Sequence, residues 1–242
     1  MKKQVIFISV MAILVLSACT INMRDVSGSG TVAREDRPVA GIRGVTLATL
    51  GDMTIELGDQ ESLVIEAEDN LLPYLETEVR SGILTIRNTA GASLLPTRPF
   101  HYYLTVNSLE TLSTTSSGNI DAPALQAEVF TTQISSSGDL HVAGVDADRI
   151  RVEISSSGNV VIDTGQVAEQ DITISSSGDY QAGEVRSQAA NARISSSGDA
   201  TIWVTDSLDA NLTSSGNVNY YGRPEISQTM SSSGKVISLG EK

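Results

Sequence analysis

The chain has 242 residues and a formal net charge of −13, from 16 Lys and Arg against 29 Asp and Glu. So acidic a protein is a poor match for nucleic acid or anionic lipid headgroups, which call for dense Lys and Arg. Its single cysteine, Cys19, excludes a disulfide within the chain.

The first predicted element is not part of the fold. Met1-Lys2-Lys3 is a short basic stretch, and Val5 to Leu16 is an apolar run too short to span a bilayer as a mature helix. Leu16-Ser17-Ala18-Cys19 closes it, as in bacterial lipoprotein signals, where the cysteine is lipidated and becomes the new N-terminus. The rival reading is plain secretion with Cys19 left as an odd thiol. Removing residues 1–18 takes away two lysines and no acid, so the mature charge is −15 over 224 residues. An acylated chain is tethered to a membrane rather than spanning it. Thr20, where an aspartate would retain such a protein at the inner membrane, favours the outer membrane. The expected location is therefore the bacterial cell envelope.

Residues 19–30 are polar, end in Gly28-Ser29-Gly30, and read as a flexible tether. Residues 31–107 hold short runs that mostly alternate apolar and polar, such as Met53-Thr54-Ile55-Glu56-Leu57 and Ile83-Leu84-Thr85-Ile86-Arg87. Turn pairs such as Gly51-Asp52, Gly58-Asp59, Asp69-Asn70 and Ser81-Gly82 separate them. This is a β-region without a fixed period.

Residues 108–242 are periodic. Ser-Ser-Gly recurs with its glycine at 118, 138, 158, 178, 198, 216 and 234, at spacings of 20, 20, 20, 20, 18 and 18. A fixed period of this size is the mark of a repeat array in which each unit is one coil. Each unit offers two or three strands of three to five residues, too short to stand alone, which become stable when like coils pair edge to edge at ~4.8 Å. The expected fold is all-β: a right-handed parallel β-helix or β-solenoid with ~20-residue coils, preceded by the less regular β-region. Ile134, Ile154, Ile174, Ile194 and Leu212 form one internal ladder, and Leu140, Val160, Tyr180, Ala200 and Val218 a second. An antiparallel sandwich also suits such strand spacing, but the invariant period favours the solenoid.

The glycines Gly118, Gly138, Gly158, Gly178, Gly198 and Gly216 are followed by Asn119, Asp139, Asn159, Asp179, Asp199 and Asn217, and Gly234 by Lys235. Glycine suits a positive-φ or tightly packed corner; Asn and Asp tolerate a neighbouring left-handed conformation and bond nearby backbone. Stacked serine hydroxyls and Asn side chains can satisfy one another and the corner amides. A functional alternative is a calcium ladder, with adjacent Asp179 and Asp199 its best rungs. Only three of the seven corners offer Asp, so no metal site or cofactor is assigned.

No catalytic constellation stands out. His101 and His141 have no metal-spaced partner, Gly-x-Ser-x-Gly is absent, and a serine repeated in every coil is no unique nucleophile. Arg149, Arg151, Arg186 and Arg193 are scattered among acids and read as surface ion-pair partners. Tyr102, Tyr103, Trp203, Tyr220 and Tyr221 are candidates for a sugar-stacking platform or, more simply, for core and cap positions.

Several pieces of text recur together: Gly28-Ser29-Gly30-Thr31-Val32, Gly41-Ile42-Arg43-Gly44-Val45, Asp69-Asn70-Leu71-Leu72-Pro73, Thr77-Glu78-Val79 with Gly82-Ile83-Leu84-Thr85-Ile86, the repeated Ser-Ser-Gly-Asn/Asp and Val218-Asn219-Tyr220-Tyr221-Gly222-Arg223-Pro224. The combination, from about residue 28 to 238, resembles the bacterial head GIN domain family of autotransporter-adhesin-like proteins. That resemblance implies a secreted or lipid-anchored solenoid and brings no catalytic residues. The expected function is a non-enzymatic binding or adhesion module held to the membrane by its lipid, with a glycan or an envelope protein as partner. A structural envelope protein is the alternative, and a carbohydrate-active enzyme on a β-helix a more remote one.

Overall fold

The computed structural model describes residues 24–242; the signal, its cleavage point and Cys19 lie outside them. From Thr111 onward each coil lies parallel on the one before, with partners 20 residues apart as far as Tyr180–Ala200 and 18 apart in the last coils. Ile120 faces Leu140, Val142 faces Ile162, and Ile154 faces Ile174. Pairing skips positions 123, 128, 143 and 148, so each coil folds into three short sides. Pro123, which has no N–H to give a ladder, stands at one of these gaps. The Ile134–Leu212 and Leu140–Val218 ladders lie in register and are buried along their whole length. Each apolar side chain thus rests on its equivalent one coil away, which is how coils that could not fold alone build one continuous core.

The stack does not begin at the first Ser-Ser-Gly. Strands Gly44–Ala48 and Asp52–Leu57 pair in parallel beneath Thr111–Thr114 and Asn119–Asp121. Strands Ile83–Asn88 and His101–Val106 pair in parallel on their other side. The rung at 83–106 is therefore farther out than the rung at 44–57, although it follows it in sequence. Antiparallel strands close this end: Leu75–Arg80 on Ile83–Asn88, and Ser62–Glu68 on His101–Val106, with Val32–Arg37 outermost. Ser81 and Gly82, both at positive φ (51° and 83°), make the two-residue turn of the first hairpin.

Residues 24–30, read from sequence as the end of a flexible tether, are instead pinned. Arg24–Ser27 pairs in parallel with Ala92–Leu95. Ser29 N–H donates to Asn70 Oδ1 (2.9 Å), and Asn70 Nδ2 donates to Ser27 O (2.8 Å). The neighbouring Glu68 is wholly buried and accepts from Gly30 N–H (2.6 Å), Thr97 N–H (2.8 Å) and Thr97 Oγ1 (2.6 Å). Burial raises the Glu68 pKa, but the bonds from Thr97, Gly30 and Arg98 outweigh it and hold the carboxyl below its ordinary value. A side chain at Gly28 would strike this carboxylate at 2.0 Å. Three loops thus close around one anion, and among the described residues no cationic side chain pairs with it.

The coil shortens from 20 to 18 residues at Ala200–Leu212, whose pairing with Tyr180–Ile194 slips register between Ala182 and Arg186 and again between Ser187 and Ala189. Polar groups fill the core there. Tyr180 Oη donates to Gln170 Oε1 (2.8 Å), Gln170 Nε2 donates to Ser187 Oγ (3.0 Å), and Ser187 Oγ donates to Trp203 O (2.8 Å). Gln170 and Tyr180 are fully buried, and burial drives the phenol pKa far above its ordinary value.

Candidate functional site

The Ser-Ser-Gly-Asx corner is a hydrogen-bonded spine. Asp139 N–H donates to Asn119 Oδ1 (3.0 Å), Asn159 to Asp139 (2.7 Å), Asp179 to Asn159 (3.0 Å), Asp199 to Asp179 (2.8 Å), Asn217 to Asp199 (2.7 Å) and Lys235 to Asn217 (3.1 Å). Each Asx oxygen thus satisfies a corner amide of the next coil. No Asx residue has positive φ, so the expected tolerance of the left-handed region is not what selects them. The serine ladder is absent as well: among the described corner serines, Ser155 Oγ alone donates within the protein, to Ile134 O at 3.3 Å.

Nor do the corner glycines have positive φ. A Cβ at Gly158, Gly178 or Gly198 would lie 2.1 Å from the carbonyl oxygen of the preceding corner glycine. Of the two reasons for glycine open from sequence, close backbone approach is the one that applies. The Asp carboxylates of this spine each spend one oxygen on an amide. Among the described residues no three His, Cys, Asp or Glu side chains converge as metal ligands would.

His141 sits on the flank between two coils, its Nδ1 3.0 Å from Asp121 Oδ1 and its Nε2 2.8 Å from Asp163 Oδ2. Both contacts are hydrogen bonds only when both nitrogens carry protons, and bonds to Asp163 and then Asp121 raise the imidazole pKa. The folded-state value lies above the unfolded one, so the contribution is complete below the unfolded pKa and is lost as pH rises through the folded one. We expect the melting temperature to fall slightly as pH climbs above about 6.5, and His141→Gln to remove that dependence. With the side chain 41% exposed, the effect stays under about 1 kcal/mol. A calorimetric pH series on both proteins checks this.

Other sequence candidates are dispersed. Arg149 bonds Glu169 of the next coil, with Asp171 at 3.5 Å, while Arg151, Arg186 and Arg193 lie exposed elsewhere. Tyr102 is buried, its hydroxyl donating to Leu50 O at 3.1 Å; Tyr103 is exposed, with Arg34 5.8 Å from its ring. At the far end Trp203 and Tyr221 are register partners, and Lys242 lies over Tyr221 at 4.2 Å. The five aromatics do not form one platform, and among the described residues the sequence candidates do not gather into one site.

A concave surface forms that no sequence motif marked. A groove of about 690 Å³ runs across three coils beside the pairing gaps at 123 and 143. Its floor is Leu125, Val145 and Gly165, and along its rim Gln126, Asp146 and Gln166 stand in register. Gln166 N–H donates to Asp146 Oδ1 at 3.1 Å. Leu57 and residues 107–109 form the opposite wall. Asn107 braces it when its amide nitrogen faces inward, donating to Gly58 O at 2.6 Å and Asp59 O at 3.2 Å. Gly144 lines the groove between Ala124 and Thr164 of the adjacent coils, where a Cβ would meet Thr164 Cγ2 at 3.2 Å and Ala124 Cβ at 3.4 Å.

Residues 43–224 match the family described as "Putative auto-transporter adhesin, head GIN domain". The chain belongs to the head GIN domain family. Solved structures share its fold. An adhesin-described protein of Bacteroides fragilis ("putative adhesin") superposes with a TM-score of 0.83 at 19% identity, covering 88% of this chain and 100% of that one. A "putative lipid binding protein" from Parabacteroides distasonis gives 0.74 at 23% identity, covering 89% and 100%. A further "putative adhesin", from Parabacteroides merdae, gives 0.67 at 21%, covering 89% and 99%. No curated protein matches. These likenesses extend over the head GIN domain's antiparallel closure as well as its coils.

Proposed function

We propose that this head GIN domain protein is a non-enzymatic binding or adhesion module of the bacterial cell envelope, anchored through acylated Cys19, that takes a glycan chain in the groove between Leu57 and the Gln126–Asp146–Gln166 rim. The observation that carries this reading is the groove itself. It extends across three coils, as an extended ligand needs, and the polar groups of Gln126, Asp146 and Gln166 repeat at the coil spacing across from the exposed apolar side chain of Leu57. Amide and carboxylate side chains bond hydroxyl groups as donors or acceptors, so a hydroxyl-rich chain suits this rim better than an acyl chain. The family description as adhesin-like, and the absence of converging catalytic groups among the described residues, support binding without turnover.

The test is binding of envelope polysaccharides to the wild type and to Gly144→Arg, whose side chain would occupy the channel. We expect at least about a tenfold loss of affinity in the variant, since an obstructed contact of even about 1.4 kcal/mol has that effect, measured at a temperature where thermal unfolding shows the variant still folded. Equal affinity for both proteins would sink the groove reading. Labelling with a palmitate analogue, lost in Cys19→Ser, tests the anchor separately.

A further inference from the structure

The two ends of the solenoid are finished differently. At the end built by residues 31–107 the outermost strands are Val32–Arg37, with Arg34, Glu35, Asp36 and Arg37, and Leu75–Arg80, with Glu76, Glu78 and Arg80. Charged side chains on an edge strand oppose pairing with another chain. At the other end the last strands, Glu225–Met230 and Val236–Gly240, pair only with Ser207–Leu212 and Val218–Tyr221. Apart from Glu225 they carry no charge.

Their inward positions continue the core columns. Ile226 follows Leu208, Met230 follows Leu212, and Val236 follows Val218. Yet Ile226 is 39% and Met230 46% exposed, because among the described residues no further coil covers them. An apolar, unpaired edge of this kind is the sort that natural proteins otherwise blunt.

Charge separates this end from the rest as well. Residues 24–221 hold 11 arginines and 27 acids, a net −16, whereas residues 222–242 hold Arg223, Lys235 and Lys242 against Glu225 and Glu241, a net +1. Two copies meeting flank to flank would oppose two strongly acidic surfaces. Meeting by their C-terminal coils, they would instead bring together near-neutral segments with both signs on each side; the strands at the other end are close to neutral as well, but carry their charges on the edge itself. The same contact would match two open edges of equal cross-section, each ending the same apolar columns.

We propose that the C-terminal coil is a self-docking surface, on which a second copy of this chain seats tail to tail about a two-fold axis. Such an isologous contact closes on itself and yields a dimer rather than a fibre, and the charged edges at the other end stop further growth. The dimer does not depend on the proposed function. One consequence rests on that reading: Arg24–Ser27 lies at the opposite end, so anchors near Arg24 would place the two membranes on opposite sides of the pair.

Sedimentation velocity of the full chain in mild detergent, over a range of concentrations, tests this together with hydrogen exchange. The expected result is a concentration-dependent dimer that Met230→Lys weakens about tenfold or more and that Val32→Lys, at the charged end, leaves unchanged. Amides of 225–230 and 236–240 should become protected as concentration rises. Should Met230→Lys fail to fold, the wild-type exchange decides: protection of these two strands supports the dimer, and unchanged exchange there overturns it. A monomer at every concentration, a dimer indifferent to Met230→Lys, or protection confined to the acidic flanks also overturns it. Gly144→Arg is expected to dimerise as the wild type does, so failure of the groove and failure of the dimer are read separately.

Discussion

Gly178→Ala is expected to destabilise the solenoid by about 3 kcal/mol, at the upper end for overpacking a close-packed site. The new methyl group would stand 2.1 Å from Gly158 O and 2.8 Å from Ile154 Cγ2. The first of these is backbone, held by the coil-to-coil pairing that runs through the corner, where Gly178 N–H donates to Ser156 O at 3.1 Å. No side-chain rotation relieves that contact; the coils must separate locally. For a domain of this size the loss corresponds to a fall of roughly 6–12 °C in melting temperature. Gly183→Ala is the control. Its Cβ would meet Thr201 Cγ2 and Tyr221 Cε2 at 3.3 Å, both side-chain atoms with room to move, so the change should be under about 1 kcal/mol. Thermal unfolding of the two variants side by side makes the comparison. A Gly178→Ala protein as stable as Gly183→Ala would show that the corners are looser than the stacked carbonyls imply.

Gln170→Leu is expected to cost about 2–3 kcal/mol, although it puts an apolar side chain of similar size into a core. It strands the Tyr180 hydroxyl and removes the donor to Ser187 Oγ, and a buried polar group left without a partner costs about 1–3 kcal/mol. Tyr180→Phe alone leaves Gln170 Oε1 unpaired and should cost about 1–2 kcal/mol by the same reasoning. The double variant removes both partners, so its loss should be smaller than the sum of the two singles. A double-mutant cycle by chemical denaturation measures the difference. Additive losses would mean that the Tyr180–Gln170 bond contributes nothing and that only packing matters at this coil. The site matters because the network spans the place where the coil shortens by two residues. There Ser187 Oγ takes the Trp203 carbonyl beside the two register shifts.

These two expectations also show where sequence stops. The period of Ser-Ser-Gly, the parallel stack and the two aliphatic ladders were legible because each coil solves the same local problem in the same way. A residue's environment is then copied from its equivalents 18 or 20 positions away. Tyr180 could be placed in the second ladder for that reason alone, between Val160 and Ala200. Its hydroxyl's partner could not, because Gln170 belongs to another column and stands where its neighbours are Ile150 and Ala190.

The corner glycines make the same division at finer grain. Text alone allowed positive φ or close packing, and both require the absence of a side chain. The distance to the carbonyl one coil below selects the second. The serines and Asx residues were grouped as one motif by their adjacency, yet only the Asx side chains reach the next coil's amide.

What the sequence by itself determined is the repeating part: strand pattern, coil length, corner residues and the columns that fill the core, all carried by short-range periodicity. Tertiary structure alone decided the features made by residues with no periodic relation. The rung at 83–106 stacks outside the rung at 44–57. Glu68 gathers Gly30 and Thr97 and pins a segment that composition marks as flexible. Leu57 and Asn107 face a corner of three later coils to form the groove, and Ile226 and Met230 are core residues by pattern but exposed, with no further coil over them among the described residues. In each case the deciding contact joins parts of the chain whose separation no local propensity encodes, and only the assembled stack brings them together.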